Sequence, residues 1–181
     1  MKEIRKETIL LNNGIKQKVI VFDKKYTMAM AKKDKIYVNE DFFKILNKKQ
    51  RKAIIYHERG HIAKNGQFLI NLSLIFLIFG AFFTALYFSF IILNYFSPIA
   101  NNNILFLITG LWILTIGFAL KWLLETICDA NAVKNVDRKF LKSGINKAYS
   151  NRKIGFFQRL VNDYLFHVPR KLRFKIIDSF D

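Results

Sequence analysis

The chain has 181 residues, with 30 Lys and Arg against 13 Asp and Glu, a net charge of +17, yet 52% of its residues are hydrophobic. A chain this apolar is not disordered, and its length suits one domain of ordinary size. The single cysteine, Cys128, excludes an internal disulfide framework and a cysteine-only metal site, so a metal centre has to draw on the three histidines and on carboxylates.

The first segment reads as short strands followed by helices. Ile9-Leu10-Leu11 and Val19-Ile20-Val21-Phe22 flank Asn13-Gly14, a hairpin signal. Tyr26 to Ala31 and Ile36-Tyr37-Val38 flank Lys32-Lys33-Asp34-Lys35, a second turn. Asn39 is placed to cap a short helix over Glu40 to Leu46. Asn47 with Gln50 has the capping-box pattern for a helix from about Lys48 to Lys64, with Asn65-Gly66 as its stop. The charged start, Met1 to Glu7, leads into strands rather than an apolar core, so no secretory signal is expected.

That second helix carries His57-Glu58-Arg59-Gly60-His61, an HExxH sequence. Residues four apart lie one turn apart on one helix face, so both imidazoles can converge on a single ion. Zinc there acidifies a water, and the Glu58 carboxylate takes its proton. Gly60 costs about 0.8–1.0 kcal/mol relative to Ala inside a helix; its expected use is to keep a side chain from crowding the site.

From Gln67 through Leu120 the chain has no charged residue. These 54 residues are too many for one membrane span and suit two of roughly 20 residues each. Lacking charge all round, neither segment offers a face to water. Ser97 to Asn103, with Pro98 and three consecutive Asn, is the turn between a first span of about 68–96 and a second of about 104–124. Tyr87, Tyr95 and Trp122 suit the membrane interfaces. The loop is uncharged and both outer segments are basic, which places both termini and the active site in the cytoplasm of a cell-membrane protein. The basic excess then serves anionic headgroups of the bilayer, and no recognition motif for nucleic acid accompanies it.

A catalytic zinc takes three protein ligands and keeps an open position. Cys128, His167 and several carboxylates are possible third ligands, and Glu125 is the best placed, because two spans return the chain to the side it left after His61. Glu125 to Asp129 is expected to begin a new helix. Asp129, one turn beyond Glu125, can accept a hydrogen bond from a ligand imidazole and fix its tautomer. Cys128 reads as a small packed residue.

With its HExxH helix, membrane hairpin and Glu125-x-x-x-Asp129-x-x-Ala132, the sequence resembles the HtpX and CAAX prenyl endopeptidase family of zinc metallopeptidases. Ile36 to Asn39 through Ala53 to Tyr56 is similar to that family's strand–helix lead-in, and His167-x-Pro169-x-x-x-Arg173 resembles its C-terminal His-Pro-Pro-x-x-x-Arg signature. Arg59 stands where the family usually has an apolar residue, and Val168 replaces the first Pro. Glu125-x-x-Cys128-Asp129 also looks like the motif of the neighbouring BlaR-type sensor peptidases. The resemblance implies one zinc held by His57, His61 and Glu125, with Glu58 as general base. It also implies that His167 approaches the active site and stabilises the oxyanion; the other reading of His167 is a loop residue that orders the C-terminal helix. Arg173 is expected to make a structural contact or one behind the ligands.

The fold expected is thus an α+β membrane protein. A zincin-like catalytic domain, built from a small N-terminal sheet with the HExxH helix (1–66) and a helical C-terminal part (125–181), is interrupted by a transmembrane helical hairpin (67–124). The function expected is a membrane zinc endopeptidase that cleaves protein or peptide substrates at the cytoplasmic face. The strand near Tyr26 to Ala31 is a possible edge for adding a substrate peptide. Two alternatives stand beside it: a regulatory signalling peptidase, and a non-catalytic membrane adaptor that keeps the zinc fold.

Overall fold

The computed structural model describes residues 2–12, 14–23, 28–32, 35–96, 104–151, 155 and 167–180. Strands β1 (Lys2–Leu10), β2 (Lys16–Asp23), β3 (Ala29–Lys32) and β4 (Lys35–Asn39) form one sheet in the order β1-β2-β4-β3. Helices α1 (Glu40–Ile45), α2 (Lys48–Ile62), α3 (Lys64–Phe96), α4 (Ile104–Val133), α5 (Arg138–Asn151) and α6 (Arg170–Asp178) account for most of the rest. The fold is α+β with a small sheet and a majority of helix. Two compact units divide the chain: Met1–Gln67 with Leu124–Asp181, and Phe68–Leu123.

In the first unit, β1 and β2 pair antiparallel around a turn that Gly14 enters at a φ of 74°, where glycine carries no Cβ penalty. Asn13 and Lys33-Asp34, parts of the two expected turns, and Tyr26-Thr27, the start of the expected edge strand, lie outside the described residues. β2 pairs parallel with β4, Val19 opposite Ile36 and Val21 opposite Val38, and β3 pairs antiparallel with β4 to form an edge. Val19, Val21, Ile36 and Val38 alternate along their strands and bury one sheet face in a core that also holds Phe42, Phe43, Ala53 and Ile55. On the inner strands Phe22 meets Tyr37 edge to face, ring centres 6.4 Å apart.

The caps follow from side-chain chemistry. Asn39 Oδ1 accepts the Phe42 N–H at the start of α1, and Asn47 and Gln50 form a reciprocal capping box at the start of α2. The expected stop at Asn65-Gly66 is not used. The α2 ladder ends at Ile62, Ala63 turns extended at φ −56°, ψ 148°, and α3 begins at Lys64. Gly66 serves close packing instead, since a Cβ there would overlap the Gly60 carbonyl. The new helix expected at Glu125 is also corrected: α4 runs unbroken from Ile104 to Val133, because no Gly or Pro lies between Gly117 and Val133 to end it.

The second unit is the apolar part of α3 and α4. Both helices are long and apolar enough to cross a membrane, and only 6% and 11% of their most apolar windows are buried by the chain itself, unlike the core helix of a soluble domain. Phe79, Phe82, Leu105 and Trp112 face outward. The helices meet at small residues: a Cβ on Gly80 would come within 2.7 Å of Leu114, and one on Gly110 within 2.6 Å of Thr84 Oγ1. The expected turn at 97–103 lies outside the described residues.

Candidate active site

The capping box starts α2 in register, so Gln50, Ala53, Ile54, His57 and Gly60 fall on its inner face. Gln50 donates to Ser143 Oγ of α5 at 2.7 Å, and Asn131 Nδ2 of α4 donates to the Tyr56 carbonyl at 2.9 Å, one residue before His57. Gly60 permits the closest approach. A Cβ there would lie 2.6 Å from Cys128 Sγ and 2.9 Å from Cys128 Cα, so α4 lies directly against α2. Cys128 is fully buried in that seam.

This seam sets Glu125, one turn before Cys128, beside the two histidines. His57 Nε2 and His61 Nε2 are 3.3 Å apart, His57 Nε2 is 3.5 Å from Glu125 Oε2, and His61 Nε2 is 3.6 Å from Glu125 Oε1. A tetrahedral ion with bonds of about 2.0–2.1 Å holds its donor atoms about 3.3–3.4 Å apart. The separations are close to that spacing, with His57 facing one Glu125 oxygen and His61 the other, and His57, His61 and Glu125 form a group able to hold a metal ion. Glu58 is buried on the same helix between them.

Behind the donors lies a closed ionic cluster. His57 Nδ1 is 2.8 Å from Asp129 Oδ1, while Arg173 of α6 grips the same carboxylate at both oxygens, Nε to Oδ2 at 2.6 Å and Nη2 to Oδ1 at 2.7 Å. All three residues are buried. Burial alone pulls the His57 imidazolium down, but the Asp129 charge and hydrogen bond outweigh it and hold the group above its ordinary value. The Arg173 guanidinium follows the same balance and is held above its usual range. An Nδ1–H donated to Asp129 leaves the Nε2 lone pair facing Glu125.

His167 is partly exposed, and its Nδ1 lies 3.4 Å from Glu125 Oε2. The structure thus brings His57, His61, Glu125, Asp129, His167 and Arg173 into one cluster, with Glu58 buried on the helix that carries the two histidines. Asn131, which ties α4 to α2, escaped the sequence reading; its signal was a lone amide two residues past Asp129 in an otherwise apolar helix turn.

Paired histidines one turn apart, a carboxylate closing the donor triangle and a second carboxylate between the histidines define a candidate metal centre of hydrolytic type. The model of Peptidase family M48 matches residues 6–142, more than half of the chain, and the chain belongs to that family. It is accordingly a metallopeptidase, a hydrolase whose substrates are proteins or peptides. Comparisons with curated proteins and with solved structures give no match. His167 and Arg173 lie beyond the matched residues.

Proposed function

We propose that the chain is an integral-membrane zinc endopeptidase that cleaves membrane proteins or peptides at the cytoplasmic face. The observation that carries this reading is the triangle of His57, His61 and Glu125 donor atoms on the helix that also bears Glu58. Zinc held there supplies electrophilic activation of the attacking water and of the scissile carbonyl. Glu58 accepts the proton from the attacking water and returns it to the leaving amine nitrogen. Asp129 holds His57 in the Nδ1–H tautomer, and Arg173 keeps Asp129 ionised and fixed. β3, the edge strand among the described residues, offers backbone pairing to an extended substrate segment.

The membrane part of the proposal rests on the two outward-facing apolar helices. At 1.5 Å per residue, the 33 residues of α3 extend about 50 Å, beyond a hydrocarbon core of about 30 Å. In this reading 67–124 is a transmembrane hairpin, both termini and the catalytic part (1–66 with 125–181) are cytoplasmic, and basic residues meet anionic headgroups.

The test pairs metal analysis with a peptidase assay on wild type and Glu58→Gln. Gln keeps the shape but accepts no proton at neutral pH, so cleavage should fall by about 10²–10⁴-fold while zinc stays bound. His57→Ala should lose zinc and activity together. Wild-type hydrolysis by zinc-loaded Glu58→Gln excludes this mechanism.

A further inference from the structure

His61 sits in the last turn of α2, which ends at Ile62. Helix ends fray, and the last carbonyls of a helix have no donor within it. At Ala63, extended at φ −56° and ψ 148°, the chain turns and starts α3 at Lys64. In the first turn of α3, Gln67 Nε2 donates to the His61 carbonyl at 2.9 Å. A carbonyl oxygen only accepts, which sets the amide with its N–H toward His61. Gly66 lets the two turns approach: a Cβ there would overlap the Gly60 carbonyl oxygen and lie 3.1 Å from His61 Cα. The start of α3 thus meets the peptide before His61 by packing and the carbonyl after it by a hydrogen bond.

The two histidines are braced differently. Asp129 holds His57 through its ring, with Nδ1 2.8 Å from Oδ1. Gln67 and Gly66 hold His61 through its backbone. His61 Nε2 lies at the far end of its side chain, so a small swing of the last turn of α2 moves it further than it moves Cα. Its separations of 3.3 Å from His57 Nε2 and 3.6 Å from Glu125 Oε1 depend on that turn being fixed.

We propose that Gln67 is a positioning residue, whose side-chain N–H, with Gly66 packed on the Gly60–His61 peptide, fixes the last turn of α2 and so the place of the His61 imidazole. This rests on the reading of His57, His61 and Glu125 as zinc ligands. It makes the first turn of α3 part of the frame of the metal centre, and it gives the amide that opens the charge-free stretch a definite task. Groups that orient a metal ligand commonly change metal affinity by about 10–100-fold when removed.

Two variants separate the N–H from the bulk of the side chain. Gln67→Met keeps the length and removes the donor; Gln67→Lys keeps the reach and returns one. On the full-length chain, zinc affinity is measured by competition with a chelator. Cobalt(II) in place of zinc reports the ligand geometry through its visible absorption, which a loss of stability alone does not shift. Gln67→Met should weaken zinc binding about 10–100-fold and shift the cobalt bands, and Gln67→Lys should restore both. Should Gln67→Met fail to fold, Gln67→Glu, which sets a carboxylate oxygen against the carbonyl, replaces it. Wild-type zinc affinity in the donor-free variant, an unshifted cobalt spectrum, or equal weakening in Gln67→Lys each overturns the proposal. A parallel titration of His61→Ala separates the failures. If it binds zinc as wild type does, the ligand assignment has failed; if it loses zinc while Gln67→Met keeps it, only the role of Gln67 has.

Discussion

In the unit formed by Met1–Gln67 and Leu124–Asp181, His57, Glu125, Asp129 and Arg173 are ionisable groups each less than a tenth exposed. In the Phe68–Leu123 unit the relation of polarity to solvent is inverted: Phe79, Phe82, Leu111 and Trp112 are more than half exposed. The hydroxyls of Thr84, Ser89 and Thr115 are bonded to carbonyls one turn back in their own helices. The difference shows two ways of managing polar groups. The first unit pairs charges with one another, because a lone buried charge is costly. The second carries one charge, Lys121 near its end, and closes the Thr84, Ser89 and Thr115 hydroxyls on their own backbone, as a helix in lipid would require.

The largest effect is expected where the paired charges are broken. Arg173→Met leaves Asp129 buried beside His57 without its bidentate partner, a loss of about 3–5 kcal/mol in unfolding free energy. The double variant Asp129→Asn, Arg173→Met removes both charges and should recover most of that loss, while zinc affinity stays reduced. Urea unfolding measures the first quantity and chelator competition the second. A loss below about 1 kcal/mol for Arg173→Met would place the pair among solvated ones.

A complementary break belongs to the hairpin. Ile78 is 59% exposed within α3. If it faces lipid, Ile78→Lys should cost about 2.5–3.5 kcal/mol of insertion, seen as chain released from membranes by alkaline extraction. If it faces water, the same substitution leaves the fold intact and raises solubility, which would end the membrane reading.

What the sequence made legible was local. The Asn47 and Gln50 box, the one-turn spacing of His57 and His61, and the charge-free stretch each depend on residues near in the chain, where periodicity and capping decide the outcome. The parallel pairing of β2 with β4 was not readable, since it joins strands across an intervening segment. The continuity of α4 through Glu125 is not legible from the return of charge at Lys121 and Glu125, because what ends a helix is a backbone breaker and none lies there. Gly60 was expected to spare the site itself. Its neighbour is Cys128, a contact that only the packing of α2 on α4 creates.

That seam gives the next effect. A Cβ at Gly60 would gain about 0.8–1.0 kcal/mol of helix propensity but meets Cys128 Sγ and Cα at 2.6 and 2.9 Å. Overpacking typically costs about 1–3 kcal/mol, so Gly60→Ala should be destabilising on balance and should weaken zinc binding by moving Glu125 away from the histidines. Adding Cys128→Gly removes the Sγ conflict but leaves the backbone one, so rescue should be partial. Full rescue would mean that the two helices can separate without consequence for the donor triangle.

The smallest contrast sets one neutral hydrogen bond in each unit side by side. Asn131 Nδ2 donates to the Tyr56 carbonyl across two helices, whereas Thr115 Oγ1 donates to Leu111 within its own. The Tyr56 carbonyl belongs to the interior of α2, so Asn131→Ala removes a second partner rather than orphaning the oxygen, and about 1 kcal/mol is the expected loss. Thr115→Val removes donor and hydroxyl together at an exposed position, leaves the Leu111 carbonyl in the α4 ladder, and should stay within about 0.5 kcal/mol of wild type. The two variants also separate in zinc titration. Asn131 steadies the backbone just before His57, so its loss should weaken metal binding beyond its effect on unfolding, while Thr115→Val should leave zinc affinity unchanged. Equal zinc affinities in both variants would show that the α2–α4 seam holds His57 through Gly60 and Cys128 alone.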